Sequence, residues 1–141
     1  MYEFQGFFTR QPSASLRCDC DKCTLRDLRP LYPFCGIRIH PRFDEAGDNT
    51  LSLEDAALDM IDRGLICGLA LSYSTFGGPI EHLAGFKIED SVIVAGSRFD
   101  SAFESRDDEV DALFISKMSA YGLPPESNGF FFPFERGFWG E

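Results

Sequence analysis

The sequence lacks any long run of apolar residues. Its longest apolar stretch, residues 65–71, is interrupted by glycine, whereas a membrane-spanning helix needs about 18 or more apolar residues in a row. The chain also does not open with a basic segment followed by an apolar one, which is the pattern of a secretory signal. The sequence therefore predicts a soluble protein without membrane contact, located in the cytoplasm if its source is bacterial.

Basic residues are scarce. The 141 residues include 13 Lys and Arg against 23 Asp and Glu, for a formal net charge of -10. Such a surface repels phosphate backbones, so we expect no nucleic-acid partner. It would attract a basic protein and speed the encounter with it. From charge alone, the favoured interpretation is simpler: net negative charge keeps a chain with 15 phenylalanines soluble.

Catalytic signatures are missing as well. The sequence has no G-x-S-x-G motif, and the stretch YSTFGGP is not followed by the lysine and helix of a phosphate loop. The only two histidines are His40 and His82, and we expect His82 on a sheet face or at the surface. The leading interpretation is a non-catalytic protein. An enzyme with a carboxylate-lined pocket stays an alternative, because the acids are too numerous for any pair to be informative.

No repeat or change of composition divides the chain, so residues 1–141 are predicted to form a single domain. Alternating apolar and polar residues predict strands, at 2–9, 23–28, 34–40, 65–74, 80–88, 92–95 and 130–132. Residues 65–74 are nearly all apolar and are expected to be covered on both faces.

Two helices are predicted from apolar spacing and end signals. Ser52, with Asp55 three residues later, resembles a capping box, and Gly64 is the expected stop. The second helix spans about 105–121, where acids occupy the first turn, and residues 13–21 form either a helical turn or a loop. The predicted fold class is α+β, a mostly antiparallel sheet with two or three helices packed on one face.

The stretch CDCDKC raises the possibility of a metal site. Cys18, Cys20 and Cys23, with Cys35 or His40 as the fourth ligand, supply the donors of a tetrahedral zinc site. Their spacing departs from the usual pair of C-x2-C motifs, so the leading interpretation has no cofactor and zinc is an alternative. The odd count of 5 cysteines argues against a closed framework of disulfides and favours a reducing compartment.

Two features favour contact with another protein. One is the acidic run at 104–111, and the other is the aromatic tail GFFFPFERGFW near the end of the sequence. Aromatic anchors surrounded by charge are typical of binding hot spots, although the tail could equally be a core strand and a docked terminus. The predicted partner-binding residues are Phe76, Glu81, Glu89, Asp100, Asp107, Asp108, Glu109, Glu135 and Trp139.

In size, acidity and expected architecture the chain resembles bacterial immunity proteins, although no residue motif carries the resemblance. It implies a module that neutralises a basic partner, such as a toxin domain, through an acidic face that bears aromatic residues. The alternatives are a small zinc-stabilised adaptor that uses the Cys18–Cys35 region and the enzyme with a carboxylate-lined pocket.

Overall fold

A computed structural model describes residues 2–18, 21–27, 35–47, 50–75, 80–102 and 116. These residues form seven strands, which are β1 (Tyr2–Thr9), β2 (Cys23–Asp27), β3 (Cys35–Ile39), β4 (Gly68–Thr75), β5 (Ile80–Glu89), β6 (Val92–Ile93) and β7 (Phe99–Ala102). The same ranges contain one α-helix, α1 (Leu53–Asp62), and one 3-10 turn at Ser13–Ser15. None of the described helices is long and apolar enough to cross a membrane.

The strands form one sheet in which every pairing is antiparallel, in the order β2-β3-β1-β4-β5-β6. The remaining strand, β7, pairs with β5 farther along the edge that also holds β6. Because β3 and β4 are both antiparallel to β1, they run parallel to each other on its two sides. The chain must therefore cross one face of the sheet between them, and α1 lies on that connection.

The ends of α1 follow the predicted signals. The Ser52 hydroxyl accepts a hydrogen bond of 3.1 Å from the Asp55 backbone N–H, which confirms the predicted N-cap. Gly64 follows the helix with φ of 109°, a conformation that favours glycine. A Cβ at Gly64 would also lie 2.5 Å from the Ser15 carbonyl oxygen, so this position has a second reason to be glycine.

The helix packs on one face of the sheet, which we call the helix face. Its buried side chains are Ala56, Ala57 and Met60. The sheet meets them with a row of opposed residues on four neighbouring strands, Ile37, Phe7, Ala70 and Phe86. Burial of this apolar area is the main favourable contribution to the stability of the fold.

The opposite face of the sheet is apolar too. Phe4 and Phe8 of β1 are buried there with their rings stacked, and the ring centroids are 5.9 Å apart. On β4, Leu69 and Leu71 are buried on this face and Ala70 on the helix face. The prediction that residues 65–74 contain a strand covered on both faces is therefore confirmed for β4.

The predicted fold class is wrong in its helical part. The described residues form a largely antiparallel sheet with a single α-helix, not a sheet with two or three helices packed on it. In the range 13–21, where a helical turn was one option, the described residues 13–18 and 21 contain only the 3-10 turn, which begins after Pro12. The extended residues Phe99–Ala102 add strand β7, which the sequence patterns did not predict.

Several predictions lie outside the described residues. Of the helix predicted at 105–121 only Ser116 is described, and it is helical. The strand predicted at 130–132 is outside entirely. The single-domain prediction for residues 1–141 stays a prediction, because 103–115 and 117–141 are not described.

Candidate functional site

A groove opens on the helix face beside the first turn of α1. Its volume is about 460 Å³, within the range of roughly 300–1,000 Å³ that is common for ligand pockets. The lining residues are Ser52, Leu53, Glu54, Ser72, Ala84, Gly85, Phe86, Arg98, Phe99 and Asp100. They come from the start of α1, from β4, from β5 and from the start of β7, so four separate segments of the chain form the groove.

Small side chains on the sheet explain why the groove exists. Ser72 of β4 lies opposite Ala84 of β5, and Ala84 lies opposite Asp100 of β7. This row is two residues along β5 from the row that carries Phe86 and packs against α1. Because Ser72 and Ala84 are short, a depression is left between the helix N-terminus and β7.

Arg98 crosses the groove from one wall to the other. Its guanidinium carbon lies 5.0 Å from the centroid of the Phe86 ring, within the range of a cation–π contact. Its Nη2 lies 3.1 Å from Oε2 of Glu54 on the opposite wall, and both side chains are 54% exposed. Exposed ion pairs contribute only about 0–1 kcal/mol, so the position of Arg98 is weakly held.

Gly85 allows the strands around the groove to approach closely. A Cβ at this position would overlap the Ala70 carbonyl oxygen of β4, and it would lie 2.8 Å from Cζ of Phe99. Since Phe99 is the residue opposite Gly85 in the ladder, its ring occupies the space that a side chain on Gly85 would need. The pair fixes β7, and with it the wall that carries Asp100, close against β5.

A second polar pair lies at the end of the groove. His82 Nε2 is 2.9 Å from Asp100 Oδ1, with the two side chains 38% and 75% exposed. Ser74 lies opposite His82 across β4 and β5. Ser, His and Asp are the residue types of a hydrolytic triad, but the carboxylate of such a triad is buried. The exposure of Asp100 therefore fits a surface ion pair better than a catalytic relay.

Gln5 belongs to the row that forms the groove floor. It lies opposite Ser72 across β1 and β4, on the helix face. Its Oε1 is buried and has no hydrogen-bond partner among the described residues. A buried acceptor without a partner costs about 1–3 kcal/mol. Gln5 does not itself line the groove, so Oε1 is a buried, unpaired acceptor in the same row as the groove floor.

Among the predicted partner-binding residues that the structure describes, Asp100 alone lines the groove. Glu89 is exposed beside the Asp90–Ser91 turn between β5 and β6, and it does not line the groove. Glu81 belongs to β5, but its side chain is not described. The other six, Phe76, Asp107, Asp108, Glu109, Glu135 and Trp139, lie outside the described residues.

Sequence reasoning missed Glu54, Phe86 and Arg98. Glu54 carries the usual signal of an acid in the first turn of a helix, and Phe86 that of an inward strand residue. Nothing in the sequence around Arg98 indicates that it faces Phe86. The one available signal is that Arg98 is close in sequence to Asp100, so a basic and an acidic side chain lie near each other in a mainly acidic region.

The cysteines of the predicted zinc site are only partly brought together. Cys18 and Cys23 form a disulfide, with their Cα atoms 6.0 Å apart. An odd cysteine count argues against a closed framework, and it is compatible with this single bridge. Cys23 lies opposite Ile39 at one end of the β2–β3 ladder, and Cys35 lies opposite Asp27 at the other end. Four residues of strand span roughly 13 Å, which is too far for Cys23 and Cys35 to bind the same ion.

His40 is better placed than Cys35 as a fourth ligand. Its backbone N–H donates to the Lys22 carbonyl at 2.8 Å, next to Cys23, although its Nε2 is 2.8 Å from the Thr24 hydroxyl. Within the described part of the chain no three His, Cys, Asp or Glu side chains form a group that could hold a metal. Cys20 is not described, so the zinc site stays a prediction.

Comparison of the chain with protein-family models, curated proteins and solved structures finds no match. The function is therefore inferred from the groove itself. Its floor carries the apolar side chains of Ala84 and Phe86, and each wall carries an exposed carboxylate, Glu54 or Asp100. This combination suits a side chain that has an apolar stem and a cationic end.

Proposed function

We propose that the protein is a non-catalytic binding module that neutralises a basic protein, such as a bacterial toxin domain, by taking a segment of it into the groove. The observation that carries this proposal is an apolar floor between two walls that each bear an exposed carboxylate, Glu54 and Asp100. A groove of this kind buries the stem of a basic side chain and pairs its charge.

The overall charge supports the same kind of partner. A net charge of -10 attracts a basic protein over distances comparable to the Debye length, about 8–10 Å at physiological salt. We therefore expect the association rate to fall steeply as the salt concentration rises. A rate that does not depend on salt would contradict steering by charge.

The cytoplasm is the proposed site of action. Cys67 carries a thiol, as expected in a reducing compartment. The Cys18–Cys23 disulfide is the opposing observation, since the cytoplasm keeps most such pairs reduced. Labelling of thiols in cells, before lysis, distinguishes a reducing from an oxidising compartment. A cytoplasmic protein would show Cys18 and Cys23 as thiols.

The binding site is tested with the groove variant Glu54→Gln/Asp100→Asn. Both substitutions remove charge and keep nearly the same shape. The matched control is Glu45→Gln/Asp90→Asn, which removes the same charge at exposed positions away from the groove. Asparagine is suitable at position 90 because it tolerates the φ of 52° found there. Each protein is immobilised and exposed to a bacterial lysate, and bound proteins are identified by mass spectrometry.

We expect the wild type and the control to retain the same basic protein and the groove variant to lose it. The purified partner should then bind the groove variant at least about tenfold more weakly than the control, since each lost charge pair at an interface is worth a kcal/mol or more. Equal binding by the two variants, or the retention of no basic protein, would contradict the proposal.

The two alternatives each keep one supporting observation. The His82–Asp100 pair beside Ser74 favours the enzyme, and it predicts labelling of Ser74 by a fluorophosphonate that is lost in His82→Ala. The position of His40 beside Cys23 favours the zinc-stabilised adaptor, and it predicts one zinc ion per chain in reduced protein. The binding module predicts neither result.

A further inference from the structure

We infer that the groove is specific for an arginine of the partner and that Arg98 occupies the place of this arginine until the partner binds. The inference rests on the proposed function and names the side chain that the groove recognises. Arg98 would then be a built-in competitor, so its removal should strengthen binding.

The contacts of Arg98 define what the site accepts. Its guanidinium lies over the face of Phe86 at 5.0 Å, and it pairs with Glu54 at 3.1 Å. A planar, delocalised cation stacks on an aromatic ring and forms directed hydrogen bonds to a carboxylate at the same time. Lysine presents a compact and strongly hydrated charge, and it fits this combination less well.

Arg98 can leave the site without disturbing the sheet. Its side chain is 54% exposed, and it lies just before β7, outside the paired residues of the β5–β7 ladder. The preceding residue, Ser97, is fixed independently, because its hydroxyl accepts from the Lys87 N–H at 3.0 Å and donates to the Val94 carbonyl at 2.7 Å. Among the described contacts, a rotation of the Arg98 side chain therefore breaks the ion pair with Glu54 and uncovers the face of Phe86, and it leaves the β5–β7 ladder intact.

The unsatisfied Gln5 acceptor gives an incoming arginine more than Arg98 receives. Gln5 Oε1 is buried without a partner among the described residues, one position across the sheet from Ser72 on the groove floor. A guanidinium has five N–H donors, so one that enters deeply enough to uncover Gln5 Oε1 can pair with Glu54 and still donate to Gln5. An arginine of the partner is not attached to the start of β7, as Arg98 is. It can therefore extend farther along the row Asp100–Ala84–Ser72 toward Gln5.

The test uses three short peptides of the form acetyl-Gly-Gly-X-Gly-Gly-amide, where X is arginine, lysine or citrulline. Citrulline has nearly the shape of arginine without the charge. Binding is followed by NMR of the ¹⁵N-labelled full chain as wild type, Arg98→Ala and Arg98→Ala/Glu54→Gln. Arg98→Gln serves as a second variant should the alanine variant be less stable.

We expect the arginine peptide to bind Arg98→Ala at least fivefold more tightly than the wild type. The amide signals of Ser72, Ala84 and Phe86 and the side-chain NH₂ signal of Gln5 should shift. The lysine peptide should bind more weakly, the citrulline peptide should not bind, and addition of Glu54→Gln should abolish binding. Equal affinities for arginine and citrulline, or no gain on removal of Arg98, would overturn the inference.

The outcomes of the peptide test and of the capture test are independent of each other. If the groove variant Glu54→Gln/Asp100→Asn loses a protein partner while no peptide distinguishes arginine, the binding module survives and the arginine site is wrong. If Arg98→Ala binds the arginine peptide while no basic protein is captured, the arginine site stands and the proposed function is wrong.

Discussion

Arg98 and Glu54 form an ion pair across the groove, with Nη2 of one 3.1 Å from Oε2 of the other. The pair connects the start of β7 to the first turn of α1. Both side chains are about half exposed, so the ion pair connects the two walls of the groove only weakly. In the proposed binding mode Arg98 gives up this contact, and Glu54 pairs with the basic partner.

Removal of this ion pair is predicted to lower the stability of the protein less than removal of the helix cap beside it. Glu54→Gln should lower the free energy of unfolding by less than about 1 kcal/mol, because the ion pair is exposed. Ser52→Ala removes the hydrogen bond to the Asp55 N–H, and it should cost about 1 kcal/mol, with a range of roughly 0.5–2. Urea unfolding of the two variants compares these losses. A larger loss of stability for Glu54→Gln would show that the ion pair stabilises the fold more than the cap does.

Replacement of Gln5 by leucine should separate stability from binding. Because Gln5 Oε1 is buried without a partner among the described residues, Gln5→Leu should leave the melting temperature unchanged or raise it. It should also weaken binding of the arginine peptide to Arg98→Ala. Thermal unfolding and the NMR titration measure the two effects.

Gln11→Leu is the control for that substitution. The Gln11 side chain donates to the Gly64 carbonyl at 2.6 Å and accepts from the Ile66 N–H at 3.0 Å. Its loss should therefore lower stability by roughly 1–3 kcal/mol and leave peptide binding unchanged. If Gln5→Leu destabilised the protein as much as Gln11→Leu, the Gln5 side chain would have to be satisfied.

Two glycines with positive φ separate the cost of backbone strain from the cost of steric overlap. Gly47 and Gly64 have φ of 86° and 109°, but a Cβ at Gly47 meets nothing within 4 Å, whereas one at Gly64 lies 2.5 Å from the Ser15 carbonyl oxygen. Gly47→Ala should cost about 1–2 kcal/mol from the left-handed conformation alone. Gly64→Ala should cost clearly more, and equal losses in urea unfolding would contradict the close approach at Ser15.

The Cys18–Cys23 bridge should contribute measurably to stability. It closes a short loop, with a sequence separation of 5, and loop-closure entropy for this length corresponds to about 2 kcal/mol. A reducing agent should therefore lower the free energy of unfolding by about that amount. Cys18→Ser/Cys23→Ser should already be less stable and should not respond to the reductant; a response would indicate that another cysteine is involved.

Local signals in the sequence predicted much of the fold. Ser52 and Gly64 mark the ends of α1 because caps act over three or four residues, and the alternation in β1, β4 and β5 follows from burial of one or both sheet faces. Strand β7 was not predicted because FDSA has no strong alternation of apolar and polar residues, and among the described strands it pairs with β5 alone. These four residues form a strand because they pair with residues 82–85 of β5, and their own sequence carries no signal of that pairing.

The groove could not be predicted in the same way. It depends on the register that aligns Gln5, Ser72, Ala84 and Asp100 across four strands. Each of these residues is ordinary in its own segment. Register is set by the packing of whole strands and by turns such as Asp90–Ser91, so one sequence gives no direct measure of which residues become neighbours.

The ten residues of β5 carry two short strands along one edge, β6 with two residues and β7 with four. Between them the backbone turns away, and the Lys87 N–H is capped by a serine hydroxyl instead of another strand. An edge broken in this manner offers no long template on which further chains could add. Two short, offset strands therefore protect this edge, as far as the structure describes it, against pairing with other copies of the chain.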